Sequence, residues 1–511
     1  MYRSRLFTVV AIAGVLAFGA AAVSTCSGGI SPVDPPPPPT TTTTSTTVKP
    51  TTTTTSTTTT TLPRVVGDPF EEMISVTPTG AAASYSDGSW VPPGEASMTP
   101  DGRYVAFAST ATNLVPDDTN GLGDVFVRDR VAGTTDRVSL RSDGSQVTSA
   151  DVTGTIQSDD AGNLPRISAD GRYVVFESSA RLVPADTDNG IDVYRFDRAT
   201  GTTDLVSVSP TGGGSNSTDR SGWPQTSISG DGRYVVFQSD STLLAPNDTD
   251  PVIPATTGTT LPGWPPPPPP NTLPDVFMRD MVLGTTTLVS AGATGSGGAA
   301  GFGPVITPDG RYIAYQSSYI APSGNPQNDL VVYDRTTGTS EVDAQNTTSN
   351  IGPYFGSTIS ADGNVVAFFN GSHLYVRNRS TGITAQVDTD RPDFTQDREI
   401  AGSGETSLSA DGHYLAFSCW CQRVFDGPSA GQGHQGVYRA DITTGDIIEV
   451  DADANGVVAN DPSLADSPSF AESSHEGITS DGTSILFGSF GDNLVGEDLN
   501  NHSDIFVSTP H

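Results

Sequence analysis

Four loops of the chain carry oxygen-bearing side chains at close spacing. "NLVPDDTNGLGDVF" (113–126), "RLVPADTDNGIDVY" (181–194) and "NLVGEDLNNHSDIF" (493–506) share the pattern D-x-[DN]-x-x-x-D. Its members are Asp118, Asn120 and Asp124; Asp186, Asp188 and Asp192; and Asp498, Asn500 and Asp504. A fourth loop, "LLAPNDTDP" (243–251), adds Asp248 and Asp250. Hard oxygen ligands two residues apart in a tight loop, with a third farther on, can wrap a calcium ion. The loops lack the fixed glycine and closing glutamate of an EF-hand. The competing reading is turn chemistry, in which Asp and Asn side chains accept hydrogen bonds from nearby backbone N–H groups. Calcium is the one cofactor the spacing suggests.

Other chemistry is weakly marked. "GPSAG" (Gly427–Gly431) fits G-x-S-x-G around Ser429. A nucleophile elbow needs a strand before it and a helix after it, and here Pro428 stands in a Gly-rich stretch. The histidines are scattered, without H-E-x-x-H or paired spacing. Cys419 and Cys421 follow a predicted strand, so alternation puts both on one side. In an exported protein they would form a local disulfide, stay as buried thiols, or hold zinc with His434. No pair of carboxylates stands out for glycosidase or lyase chemistry. No catalytic residue is assigned.

The elements that would position these loops are written as a repeat. "ISADGRYVVF" (167–176) recurs as "MTPDGRYVAF" (98–107), "ISGDGRYVVF" (228–237), "ITPDGRYIAY" (306–315), "ISADGNVVAF" (359–368), "LSADGHYLAF" (408–417) and "ITSDGTSILF" (478–487). In the second copy, 164–168 and 172–178 read as strands around an Asp-Gly turn, where glycine supplies positive φ. "DVYRFD" (192–197) is a third strand, "ATGTT" a second tight turn, and "DLVSVS" (204–209) a fourth strand. The second strand is apolar on both faces, as in a sheet packed between two neighbours. Such a sheet needs its neighbours, and radial stacking makes it a propeller blade.

After the seventh copy, "DIFVST" (504–509) supplies a third strand and no fourth follows. "EMISVTPTG" (72–80) resembles the fourth-strand segments "DLVSVSPTG" (204–212) and "TLVSAGATG" (287–295). The expected fold is therefore all-β, a seven-bladed β-propeller of four-stranded antiparallel blades, the last blade closed by the N-terminal strand. The turns joining strands one and two, and three and four, are short. The long segments (141–163, 208–226, 241–274, 388–406 and 451–477) leave the opposite face, where binding is expected.

"TPDGRYVAF" (99–107) and "TPDGRYIAY" (307–315), followed by "DVFVRD" (124–129) and "DLVVYD" (329–334), resemble the TolB-type, WD-like propeller repeats of bacterial periplasmic and exported proteins. The resemblance covers 70–509. It implies the fold, and a functional range from protein-binding propellers to propellers that act as lids on serine peptidases. The repeats leave no residues for a peptidase domain or for the extra domain of TolB.

Composition narrows the partners. Net charge is −33, and Lys49 is the sole lysine. That balance excludes phosphate-backbone binding to nucleic acid and a basic lipid-binding patch. It suits divalent cations. Residues 1–26 read as an export signal, with Arg3 and Arg5 before an apolar run from Leu6 to Ala22. "VSTC" (Val23–Cys26) resembles a lipobox that would lipidate Cys26, with Thr25 where a smaller residue is usual; the alternative is cleavage after Ala20–Ala22. Residues 27–63 are a Pro/Thr-rich disordered stalk. The propeller occupies 64–511 with a proline-rich loop insertion at 254–274. The expectation is an exported monomer at the cell surface, in the periplasm or secreted. Its expected partner is a protein or a glycan, with membrane contact only through a lipid anchor. A hydrolase or lyase acting on a polymer at the central channel, and a purely structural envelope role, remain as alternatives.

Overall fold

Each copy of the repeated phrase folds as an antiparallel β-hairpin. In the second blade the hairpin joins Asn163–Ile167 to Tyr173–Ser178. The turn closes on itself. Gly171 N–H donates to Ser168 O (2.9 Å) with φ at +70°. The Ser168 hydroxyl donates to Asp170 (2.6 Å) and accepts from Tyr173 N–H (2.9 Å). Asp170 in turn accepts from Arg172 N–H (3.0 Å). Ser168, Asp170, Gly171 and the amides of Arg172 and Tyr173 are thus used locally.

The computed structural model describes residues 71–83, 96–152, 162–187, 190–210, 212, 226–241, 243–245, 274–290, 300–320, 326–345, 355–370, 373–387, 406–421, 434–452, 459, 473–496, 498 and 502–510. The signal segment with Cys26, the stalk, the insertion at 254–273, and Asp188, Asp248, Asp250 and Asn500 lie outside them. Among the described residues no helix is long and apolar enough to cross a membrane.

The strands form seven four-stranded antiparallel sheets in a ring. Blades one to six are meanders over 96–137, 163–205, 226–288, 300–345, 355–386 and 406–449. The seventh joins Ser473–Ile478, Ile485–Ser489 and Asp504–Ser508 to the N-terminal strand Glu71–Met73. The latch pairs Glu71 with Ser508, Glu72 with Val507 and Met73 with Phe506. In the second blade the fourth strand is Thr202–Leu205, earlier than the sequence suggests. Its ladder ends soon after Val206 N–H donates to Val193 O (2.8 Å), where the next serine side chain turns inward.

Both faces of the blades are apolar, and the clusters run between blades. Val175 and Phe277 meet across the second and third blades. Ile74, Val105, Phe126 and Ile505 join the latch, the first blade and the seventh. Directly opposed aromatic pairs stiffen most sheets, such as Phe107–Phe126 (5.8 Å) and Phe237–Phe277 (5.9 Å). Each pair adds about 0.5–1.5 kcal/mol beyond its buried area.

The phrase also recognises itself in the next blade. Tyr104 lies on Gly171, Tyr173 on Gly232, Tyr234 on Gly310, Tyr312 on Gly363 and Tyr414 on Gly482. A Cβ at Gly171 would sit 2.2 Å from Tyr104 Cδ2. Two arginines lie over several of these rings: Arg103 (4.7 Å) and Arg198 (4.6 Å) over Tyr104, and Arg233 (4.8 Å) and Arg335 (4.1 Å) over Tyr234. The Arg of "DGR" then pairs with the Asp that ends the third strand, as in Arg172–Asp197 (2.7 Å) and Arg233–Asp280 (2.8 Å).

A circle of backbone hydrogen bonds links the same turns near the axis. Ala169 N–H donates to Gly230 O, Gly230 to Pro308, Ala361 to Ala410, Ala410 to Ser480, and Ser480 to Pro100. The circle is interrupted where Pro100 and Pro308 have no N–H to give. Neighbours at hydrogen-bonded strand spacing, about 4.8 Å, make a heptagon about 11 Å across between Cα atoms.

The seam between the seventh and first blades departs from this scheme, because Ser484 stands where five of the other copies have tyrosine and the fifth blade has Val365. There Arg130 takes over, pairing with Glu72 of the latch (2.8 Å) and donating to Gly102 O (2.7 Å).

Two stability predictions follow from these contacts. Gly171→Ala and Gly201→Ala both place a side chain at positive φ, but nothing lies within 4 Å at Gly201. Gly201→Ala is expected to cost about 1–2 kcal/mol from backbone strain alone. Gly171→Ala is expected to cost about 1–3 kcal/mol more through overpacking on Tyr104. Urea unfolding midpoints check this, and equal shifts would contradict the packing role. Ile74→Ala removes a fully buried latch side chain and is expected to cost about 2–5 kcal/mol. Hydrogen exchange should then accelerate first at 71–83 and 504–508.

Candidate functional site

The connections between second and third strands, and those between blades, leave one face of the ring. The opposite face carries only the short turns. Strand lengths add to this asymmetry. The second and third strands are Tyr104–Ser109 and Asp124–Asp129 in the first blade, but Tyr312–Ile320 and Pro326–Asp334 in the fourth, and Tyr414–Cys421 and His434–Asp441 in the sixth. The fourth and sixth blades therefore raise longer hairpins on the loop face. This elaboration is not evident from connection lengths alone.

As far as they are described, the acidic loops sit at the same end of their blades. In the first blade the structure brings Asp118, Asn120 and Asp124 together. Asn120 Nδ2 donates to Asp124 Oδ2 (2.8 Å), and Asn120 Oδ1 accepts from Leu122 N–H (3.0 Å). Asn120 thus shapes the turn, with Gly121 at φ +69°. Arg137, from the fourth strand, places Nη1 3.2 Å from Asp118 Oδ1 and 3.4 Å from Asp124 Oδ2. Its Nη2 donates to Asp117 O (3.1 Å). A guanidinium therefore fills the role of counter-cation in this loop.

The third carboxylate of each pattern is built into its blade. A serine two residues after the fourth strand donates its hydroxyl to the buried Asp and accepts a backbone N–H. The pairs are Ser139 with Asp124, Ser207 with Asp192, and Ser75 with Asp504; Ser290 and Asp275 do the same in the third blade. The backbone donors are Val125, Val193, Ile505 and Val276 (3.0–3.1 Å). In the sixth blade Gly436 replaces the aspartate, and Asp451 accepts directly from Val437 N–H (3.0 Å).

The first carboxylate differs between blades. Asp186 accepts from the Tyr194 hydroxyl (2.5 Å). Burial, then Asp192 and Asp186, pushes that phenol far above its ordinary range. Asp498 and Asp504 are both buried. The fourth-strand residue opposite the central aromatic is Arg137 in the first blade, but Leu205, Leu288 and Met73 in the second, third and seventh. Among the described residues no group of three or more His, Cys, Asp or Glu side chains is gathered for a metal ion.

Charge on the short-turn face is handled differently. Hydrogen bonds from Arg172 hold the Asp197 carboxyl down at about 2, and Arg311 acts alike on Asp334. In the loop of the first blade, burial and then the Asp124 charge outweigh Arg137 and push Asp118 up to about 6.

No protein-family model and no curated protein matches the chain. Solved structures do. Its structural neighbours include TolB proteins. TolB from Acinetobacter baumannii is 16% identical, with a TM-score of 0.33. The match covers 57% of this chain and 53% of that protein, so the chain spans about half of its length. An oligogalacturonate lyase from Vibrio parahaemolyticus is 11% identical over 86% of this chain and 96% of its own, with a TM-score of 0.46. The Pyrococcus horikoshii acylaminoacyl peptidase is 11% identical over 79% of this chain and 50% of its own, with a TM-score of 0.42. The fold itself rests on the strand pairing described above.

The raised Asp118 pKa has a definite sign. The folded protein holds this proton more tightly than the unfolded chain, so the stability it contributes is complete below pH ~4 and lost as pH rises through ~6. Asp118→Asn is therefore expected to gain in melting temperature relative to the parent as pH rises from 4 to 7. Parallel melting curves for the two proteins across that range would contradict the assignment.

Proposed function

We propose that the chain is an exported, envelope-tethered β-propeller that binds a protein or a glycan through its loop face. The observation that carries this reading is the asymmetry of the ring. One face is closed by the turn circle, the tyrosine–glycine contacts and the arginine–aspartate pairs. All long connections and both extended hairpins belong to the other. Rigid scaffolds with one elaborated face are suited to recognition. Export and tethering are supported by the signal-like segment, Cys26 and the stalk at 27–63. The narrow turn circle also makes threading of a polymer through the ring unfavourable, so a glycan would be met from the loop side.

Calcium belongs to this reading in the second, third and seventh blades, whose fourth strands place no arginine at the position of Arg137. Leu205, Leu288 and Met73 stand where Arg137 serves the first blade. Asp186, Asp188 and Asp192, Asp248 and Asp250, and Asp498, Asn500 and Asp504 would be the ligands, while Asp118, Asn120 and Asp124 keep Arg137. Millimolar calcium is expected to raise the melting temperature over that in a chelator by mass action, and Asp188→Ala to reduce the increment. No shift in the parent protein would end the calcium reading.

Binding is tested by screening the full chain against envelope proteins and a glycan array in parallel. For any ligand found, shortening 388–405 or 213–225 to a Gly-Ser linker is expected to weaken affinity about tenfold or more, a loss of about 1.4 kcal/mol. Arg233→Ala, on the short-turn face, is expected to leave affinity within about twofold. The reverse pattern would move recognition to the short-turn face. Ligand cleavage during the assay would instead favour an enzyme.

A further inference from the structure

We propose that the gap above the short fifth blade, between the raised hairpins of the fourth and sixth, is a cleft that takes a neutral polysaccharide chain. This rests on the loop-face reading above and narrows it to one place and one class of ligand.

The cleft follows from strand lengths. Counted from the turn glycine, the second strand ends seven residues on in the first, second, third and seventh blades. It ends ten on in the fourth, six in the fifth and nine in the sixth. The shortest hairpin thus stands between the two longest. In the first, second, third and seventh blades the connection to the third strand adds a layer of its own, with Leu114, Leu182, Leu244 and Leu494 buried in it. In the fifth that connection is the four residues 370–373. It is closed by Asn370 N–H donating to His373 O (3.0 Å) and His373 N–H donating to Asn370 Oδ1 (2.8 Å). The second strand of the fourth blade runs four residues past the end of the fifth's, about 13 Å, and that of the sixth three, about 10 Å. The fifth blade shares one core with the fourth and another with the sixth. Packed sheets lie about 10 Å apart, so the two walls stand about 20 Å apart, with room for about one blade's thickness between them.

Alternation sets the chemistry of the fourth-blade wall. Tyr312 lies on Gly363, and Ala314 joins the core shared with the fifth blade. Gln316 and Ser318, farther along the same strand, face the same way. Phe302 stands opposite Gln316, and Asn328 opposite Ser318, which puts both on that side. All four are half-buried. On the fifth blade, Tyr375 packs against the shared core. Gln386 stands opposite it, and His373 meets its ring edge-on (6.5 Å). Gln386 Nε2 and His373 Nδ1 are 3.0 Å apart.

These side chains offer amides, a hydroxyl and aromatic rings, and no carboxylate or guanidinium. Asp329, opposite Ser317, belongs to the other face of the hairpin. In a chain of net charge −33 an anionic polymer is repelled, and a basic one finds no counter-charge on this wall. A neutral glycan meets the amides with its hydroxyls and lays its C–H faces on the rings. The depth and width suit a polymer segment rather than a single sugar.

The test is native electrophoresis of the full chain through gels that contain a soluble β-glucan, a mannan, a dextran or, separately, polygalacturonate. At least one neutral polymer is expected to retard the chain, and polygalacturonate is not. Ser318→Trp fills the cleft and should weaken this binding about tenfold or more. Gln386→Ala should weaken it about three- to tenfold, as for one lost hydrogen bond. Asp143→Ala, at an exposed position after the first blade, and Arg233→Ala should leave it within about twofold. Melting curves establish that each variant is folded at the temperature of the gel. Retardation by no neutral polymer, or by polygalacturonate in preference, overturns the proposal; a protein ligand from the envelope screen would then still uphold the loop-face reading. Binding that survives Ser318→Trp but is lost on shortening 213–225 overturns the cleft and keeps the loop face. Loss in Arg233→Ala overturns both. Tighter binding after shortening 388–405 would show that this segment occupies the cleft, and would overturn the proposal.

Discussion

The ring depends on one contact, the tyrosine of one blade lying on the turn glycine of the next. The glycine has two reasons to be glycine. It adopts positive φ, and it leaves no Cβ where the neighbouring ring must lie. The same turn that ends one hairpin is thus the receptor for the preceding one. A segment that presents both halves of a contact can only be satisfied by copies of itself. This explains why the phrase recurs with so little change in Asp-Gly and so much change elsewhere. Where the tyrosine is missing, the structure substitutes. Val365 of the fifth blade sits on Gly412 of the sixth, and the Arg130–Glu72 pair serves the seam.

The seam combines local and long-range demands. The latch strand is short, and its three residue pairs alone could not close a ring. Its stability comes from Ile74, which joins a core shared with the first and seventh blades, and from Ser75, which completes the buried serine–aspartate pair at Asp504. The latch therefore reproduces, from the other end of the chain, the serine–aspartate pair that follows the fourth strand in the first three blades. With the turn face fixed in this way, chain length can accumulate on the other face at little cost to the scaffold, since closing longer loops costs only slowly increasing entropy. The Pro-rich insertion between the second and third strands of the third blade follows that rule.

Much of this fold is legible in the sequence because the repeat places equivalent residues in register. The hairpin, the blade count and the N-terminal closure all follow from comparing copies. The side-chain partnerships are less legible. Arg172 and Asp197 lie on different strands, and their link shows only as joint change: Asn364 and Asn378 replace both members in the fifth blade. The serine–aspartate pairs behave alike, with Gly436 and Asp451 changing together in the sixth. The acidic loops show the limit most clearly. Asn120 does turn chemistry, as its residue type allows. Arg137 looks like a strand-edge residue beside Asp136, and only the register opposite Phe126 brings it to Asp118 and Asp124.

The central claim is that the turns near the axis are a structural ring rather than exposed loop tips. Native-state hydrogen exchange of the Ala169, Gly230, Ala361, Ala410 and Ser480 amides tests it most directly. These groups donate from one blade to the next, so their exchange should require blades to separate. The account predicts protection close to that of central-strand amides such as Val174 and Val235, lost together as denaturant is added. Exchange as fast as that of the rim turns, while the strands stay protected, would contradict it.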